Sequence, residues 1–148
     1  MSFTNLYYHI VFHTKHNVMA IVEEHERILY SYIHGFCKNN GVDLVRIGGM
    51  PDHIHMFVVI PPQISLSLFV QQLKVSSSKM LYENALFRGF EGWQNGYAAF
   101  SYSIRDVEMI VNYIKNQKEH HKHVSFRDEY RAWLIENGIS EDARYFPK

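Results

Sequence analysis

Met50-Pro51-Asp52-His53-Ile54-His55-Met56-Phe57-Val58-Val59-Ile60 is an apolar run carrying two histidines separated by one residue. A strand alternates its side chains, so His53 and His55 share one face. Pro61-Pro62 closes this strand, and Gly48-Gly49 closes the one before it, Val42 to Ile47. The turn between them is short, which predicts an antiparallel pair. Further on, Tyr113-Ile114-Lys115-Asn116-Gln117 places Tyr113 and Gln117 four apart, on one stripe of a helix. Over a sheet the two pairs can meet, and a metal site beside a tyrosine nucleophile is the expectation.

Outward from that run, Leu6 to His13 is rich in Tyr, Ile, Val and Phe and reads as the first strand. It reads either as an edge open to a symmetry mate or as a central strand buried on both faces. Glu23 to Asn40 carries Ile28, Leu29, Tyr32, Ile33 and Phe36 at helical spacing, with Asn39-Asn40-Gly41 as a stop. Ser65 caps a second helix reaching Asn84, and Gly96 to Ser103 is a fourth strand. The order β-α-β-β-α-β is the split βαβ arrangement of an α+β, ferredoxin-like antiparallel sheet with two helices on one face. Two C-terminal helices follow, one capped by Asp106 and carrying Tyr113, the other from Phe126 to Asn137.

At 148 residues and 47% hydrophobic, the chain has material for one core and too little length for two, so residues 1–148 read as a single domain. A formal net charge of zero excludes a protein coated in positive potential but leaves room for a local basic groove. Cys37 is the one cysteine, which excludes an internal disulfide and a cysteine metal cluster. The N-terminus lacks a basic region followed by an apolar one, and no run approaches membrane-spanning length. A cytoplasmic protein without a membrane partner is expected.

Cleaving a phosphodiester with a side-chain hydroxyl needs an in-line nucleophile, charge against the phosphate oxygens and a template for the scissile bond. Tyr113 is the candidate nucleophile. A tyrosine hydroxyl ordinarily titrates near pH ~10, so it is mostly protonated at neutral pH and needs assistance from a metal, a nearby cation or a base. His53, His55 and Gln117 offer two imidazole nitrogens and an amide oxygen to one divalent ion. Imidazole suits Zn, Ni or Cu and oxygen suits Mg or Mn, so the ligand types leave the ion open. Asp52 points the other way along the strand, into a turn or a supporting role. The ordinary alternatives are satisfied core histidines and a tyrosine packed at a helix edge. His120, His121 and His123 read as a solvated helix end favoured by the helix dipole.

Nucleic-acid contacts are assigned to Lys74, Ser77, Ser78 and Lys79 on the second helix, where amines and hydroxyls can hold phosphates. Trp93 and Gln94 precede the fourth strand, where an aromatic can stack an unpaired base and an amide can read its edge. Arg46 is a further candidate. An ordinary polar helix face and a core tryptophan are the competing readings.

These residues resemble the HUH single-tyrosine transposases of small bacterial insertion sequences, the IS200-like superfamily related to REP-associated tyrosine transposases. The resemblance runs from Tyr7-Tyr8-His9-Ile10-Val11-Phe12 through Asp52-His53-Ile54-His55, Leu73-Lys74, Ser77-Ser78, Trp93-Gln94-Asn95-Gly96-Tyr97 and Phe100-Ser101 to Tyr113-Ile114-Lys115-Asn116-Gln117 and His120-His121. It implies a metal-dependent DNA transposase that nicks and rejoins single-stranded hairpin DNA through a 5′-phosphotyrosine. It further implies Mg or Mn on His53, His55 and Gln117, and favours a homodimer with shared sites over the monomer that REP-associated relatives can form. Three alternatives compete. A domesticated hairpin-binding protein would keep the fold without cutting, but Tyr113 and Gln117 are intact. Replication initiators and relaxases with the same chemistry are usually longer. A histidine-triad hydrolase would repeat His where this strand has Phe57.

Overall fold

The computed structural model describes residues 1–139, so the last nine positions of the expected domain, 140–148, lie outside the described residues. Strands β1 (Tyr7–His13), β2 (Asp43–Met50), β3 (His53–Val59) and β4 (Ala98–Tyr102) form one antiparallel sheet in the order β2-β3-β1-β4. Helix α1 (Glu26–Asn39) joins β1 to β2, and α2 (Leu66–Glu83) joins β3 to β4. This is the ferredoxin-like order. The aromatic first strand lies inside the sheet between β3 and β4, which leaves β2 and β4 as the edges.

Alternation divides β1 and β3 between two layers. Ile10 and Phe12 from β1, with Ile54, Met56 and Val58 from β3, pack against Leu29, Ile33 and Cys37 of α1 and Phe69, Val70, Leu73 and Leu81 of α2. The helical residues recur at spacings of four and face the sheet as one stripe. Ser65 closes the N-terminus of α2 by accepting from the Leu68 amide at 3.3 Å. The opposite strand faces present His9, Val11 and His13 beside His53, His55 and Phe57, and all six are buried.

That second face is covered by α3 (Val107–Lys115), the short turn α4 (Gln117–His120) and α5 (Phe126–Glu136). Ile110 and Ile114 of α3 pack on Phe57, while Phe126, Trp133 and Leu134 of α5 pack on Val11, Ala98 and Phe100. The sheet is therefore covered on both sides, two helices on one and the C-terminal helices on the other. Asp106 lies at the start of α3 but does not cap it with its side chain; the carboxylate reaches back to the Ser103 amide at 3.4 Å and closes the preceding tight turn. The helix that carries Tyr113 ends at Lys115, and Gln117 opens a separate turn.

Gly48 sets how closely α3 lies on β2. A β-carbon there would stand 2.8 Å from the Ile114 carbonyl oxygen, backbone that cannot swing aside. Gly48→Ala is therefore expected to lift the end of α3 beside Tyr113 and to cost about 1–3 kcal/mol, the usual penalty of overpacking. Urea denaturation measures the loss, and wild-type stability would contradict this account of the α3 position.

Candidate metal centre and tyrosine site

His53 and His55 stand on the covered face of β3 with no exposed surface. His53 Nδ1 is 2.7 Å from Asp52 Oδ1, so the carboxylate holds the ring with Nε2 turned into the layer above. His55 Nδ1 is 3.0 Å from Nε2 of His9, its neighbour across β1. Phe126 stacks on His53 at 3.9 Å between ring centroids, and the Trp133 edge meets His9 and His55 at 4.7 and 5.1 Å. A buried imidazole fixed at one nitrogen presents the other in a defined direction.

Glu129 of α5 fills that direction. Its side chain is 1% exposed, with Oε1 at 3.2 Å from His55 Nε2 and 3.7 Å from His53 Nε2. Oε2 lies 3.0 Å from His120 Nε2 and 3.3 Å from His121 Nε2, and accepts from Gln117 Nε2 at 3.1 Å and from the Tyr113 hydroxyl. Gln117 Oε1 is 3.3 Å from His53 Nε2. Tyr113 and Gln117 thus converge although the helix breaks between them. The Tyr113 ring lies 5.8 Å from the His55 ring of the same chain.

Charge follows from this geometry. Burial opposes ionisation of Glu129, but His121, His55 and Tyr113 outweigh it and hold the carboxyl well below the usual range. Burial pushes His55 down to about 4, only partly opposed by Glu129. For His121 burial also works downward, yet contact with Glu129 leaves the imidazole above its ordinary value. Burial, followed by the Glu129 charge, raises the Tyr113 phenol. In this arrangement the tyrosine is a hydrogen-bond donor.

His53, His55, His121 and Glu129 each offer one ligand atom, all within 4.8 Å of one another. His55 Nε2, His121 Nε2 and Glu129 Oε1 are buried with no hydrogen-bond partner outside this group. Imidazole lone pairs beside a carboxylate fit a divalent cation. The solvated-helix-end reading is corrected for His120 and His121, whose rings face Glu129, and it describes His123, whose side chain is 76% exposed. Sequence reasoning assigns no role at this site to Glu129, His9 or Trp133. A signal exists for Glu129: Phe126, Glu129, Tyr130, Trp133 and Leu134 follow helical spacing, which puts a carboxylate on the apolar stripe.

The other expected positions lie elsewhere. Ser77 is fully buried, donating to the Leu73 carbonyl at 2.7 Å and accepting from Trp93 Nε1 at 3.0 Å. Trp93 packs its ring on Phe12 and Phe90 at 4.8 and 5.2 Å. Both belong to the core between α2 and the sheet, because the indole and hydroxyl satisfy each other there. Lys74 donates to the Gln94 carbonyl at 2.8 Å and to that of Gly96, and burial lowers its ammonium to about 8. Lys74, Ser78, Gln94 and Tyr97 line a cleft of about 530 Å³ beside α2, and an edge of Trp93 reaches its floor. Lys79 borders a separate hollow with Tyr32 and Ser76, and Arg46 is exposed on the β2 edge.

Fold and site define a class. The family model "Transposase IS200 like" matches residues 2–117, and the chain belongs to that family. The transposase for insertion sequence element IS200 of Salmonella typhimurium is 36% identical over 123 residues, covering 80% of each chain. The ISDra2 transposase TnpA of Deinococcus radiodurans is 25% identical over 120 residues, covering 77% of this chain and 85% of that one. A REP-associated tyrosine transposase solved with a REP hairpin superposes with a TM-score of 0.61 at 15% identity, over 84% of this chain and 76% of that one, a likeness of fold. Among the described residues, no helix is long and apolar enough to cross a membrane.

Proposed function

We propose that this transposase nicks and rejoins single-stranded DNA at hairpin-bearing ends through Tyr113. One observation carries the reading: the Tyr113 hydroxyl, the Gln117 amide and both strand imidazoles meet at one buried carboxylate. Tyr113 also borders an open hollow of about 520 Å³ with Asn112, Asn116 and His120, where a strand can approach the hydroxyl from solvent. Attack forms the bond from the tyrosine oxygen to phosphorus and breaks the bond from phosphorus to the departing 3′ oxygen. The phenolic proton passes to a base, and the departing oxygen takes up a proton to become a 3′-hydroxyl. A free 3′-hydroxyl attacking the 5′-phosphotyrosine reverses these changes without ATP.

His53, His55 and Gln117 would hold a divalent ion, Mg or Mn by the family resemblance, and such an ion supplies positive charge to the phosphate oxygens. Asp52 and His9 orient the two imidazoles. Phe126 and Trp133 exclude water from them. Arg46, Lys74, Ser78, Lys79 and Gln94 remain the proposed DNA contacts; Ser77 is omitted because its hydroxyl is buried and engaged, and Trp93 because its ring packs on Phe12 and Phe90 with 7% of its surface exposed. The homodimer is part of the reading on family grounds.

A two-stage assay tests this. A labelled hairpin strand incubated with the protein and Mn²⁺ or Mg²⁺ should give a covalent adduct that runs slowly on a denaturing gel. Addition of an unlabelled strand with a free 3′-hydroxyl should then move the label into a longer DNA product. A hydrolysed 5′-phosphate strand in place of that product would contradict rejoining.

A further inference from the structure

The three imidazoles around Glu129 share one arrangement. Each has Nδ1 engaged: His53 with Asp52 at 2.7 Å, His55 with His9 at 3.0 Å, and His121 with the Val124 carbonyl at 2.7 Å. Each therefore turns Nε2 toward the carboxylate, and this supporting shell is the one that metal-binding histidines use. His55 Nε2, His121 Nε2 and Glu129 Oε1 have no hydrogen-bond partner beyond the imidazoles and carboxylate that face one another here, and the side chains that carry them are at most 5% exposed. His121 donates Nδ1–H to the Val124 carbonyl, so in the neutral ring its Nε2 lone pair faces a carboxylate oxygen, and that pair needs a cation between them, a proton or a metal ion. One proton bridges a single pair of atoms, whereas four converging donors match a cation that takes four ligands.

Spacing narrows the cation. With zinc–nitrogen bonds of about 2.0–2.1 Å, tetrahedral ligand atoms stand about 3.3 Å apart. Glu129 Oε1 is 3.2 Å from His55 Nε2 and 3.7 Å from His53 Nε2, while His121 Nε2 lies 3.3 Å from the other oxygen, Oε2; the four donors stand within 4.8 Å of one another, so a small shift of His121 and Glu129 closes them on one ion. Three imidazoles with one carboxylate also favour zinc or cobalt over magnesium.

We propose that His53, His55, His121 and Glu129 form a closed four-ligand site for a divalent transition ion of the zinc class, and that filling it locks α5 over the catalytic face. The regulatory half of this proposal rests on the reading of that face as the site of DNA cleavage. Four protein ligands complete a tetrahedron and leave no position for a phosphate oxygen. His121 and Glu129 both follow residue 117, where the family match ends, so a segment beyond the matched region supplies the closure. Displacement of Glu129 would free His53 and His55 to act with Gln117. The same two histidines then serve a closed transition-ion state and an open state that takes Mg or Mn.

Titration of the metal-free full-length chain with Co²⁺, read by visible absorption, tests the site without any activity. The expected result is the intense spectrum of four-coordinate cobalt at one equivalent, displaced by Zn²⁺. Glu129→Gln and His121→Ala should each weaken Co²⁺ binding by more than about 100-fold, since loss of supporting partners alone costs about 10–100-fold. Far-ultraviolet circular dichroism shows whether each variant is folded. Gln117→Ala, which removes no ligand of the closed site, should keep the spectrum. The weak bands of six-coordinate cobalt from the wild-type chain, or unchanged affinity in both ligand variants, would overturn the proposal. One equivalent of Zn²⁺ should lower the Mn²⁺-supported adduct at least tenfold, and a chelator should restore it; an unaffected adduct overturns the locking. Four-coordinate bands from a chain that makes no adduct with any ion would uphold the metal site and remove the DNA-cleaving reading. An adduct from a chain that gives only six-coordinate bands would do the reverse.

Discussion

Tyr113→Phe is expected to abolish the covalent protein–DNA adduct, by more than about 1,000-fold, while hairpin affinity stays within about twofold of wild type. The large loss follows from removal of the attacking atom, for which no neighbouring group substitutes in an in-line displacement. The small effect on binding follows from what the substitution keeps. The Tyr113 ring packs on His9, His55 and Trp133 with centroids 6.1, 5.8 and 5.5 Å apart, and phenylalanine retains those contacts. Glu129 loses one donor but keeps Gln117 Nε2 at 3.1 Å and the two imidazoles His120 and His121. Adduct yield on denaturing gels and affinity by filter binding separate the two quantities. Undiminished adduct in this variant would remove Tyr113 from its role.

His55→Ala is expected to weaken metal binding by more than about 100-fold and to take the adduct below detection. His55 has no exposed surface and would contribute Nε2 to both proposed ligand sets, with Gln117 or with His121 and Glu129. Its loss also leaves His9 Nε2 without its ring partner, so supporting and ligand interactions fail together. Calorimetric titration with Mn²⁺ and Zn²⁺ measures the effect, alongside urea denaturation to show that the variant folds. Wild-type affinity for both ions would exclude His55 from the centre.

Much of this architecture is legible in the chain because two signals are local. Strand alternation alone places His53 beside His55, and the short turn after Met50 pairs β2 with β3. The interior position of β1 is not decidable from sequence, since an apolar aromatic strand fits an edge or a centre and only its pairing with both β3 and β4 distinguishes them. Helical spacing correctly predicts that Tyr113 and Gln117 project together, but it gives no sign of the break at Asn116.

The missing parts of the site are long-range. Glu129 reaches the His-x-His pair from α5, and nothing in the spacing of His55 and Glu129 announces that contact. Its place on the apolar stripe of α5 is the visible clue, and it has weight only once the sheet face below is known to carry buried imidazoles. His120 and His121 sit where a helix end ordinarily meets water, but both rings turn to Glu129 of α5, which nearly buries His121 and leaves His120 partly exposed. Ser77 and Trp93 mislead for the opposite reason. A serine in a polar run and a tryptophan before a strand look available to DNA, but their mutual hydrogen bond consumes the polar atoms of both within the core.

Mass spectrometry of the purified protein–DNA adduct decides whether Tyr113 is the nucleophile. After nuclease and protease digestion, a nucleotide phosphate is expected on the peptide containing Tyr113, with Tyr7, Tyr102 and Tyr130, which pack against the same face, unmodified. A phosphate on Tyr102, Tyr130 or any residue other than Tyr113 would contradict it.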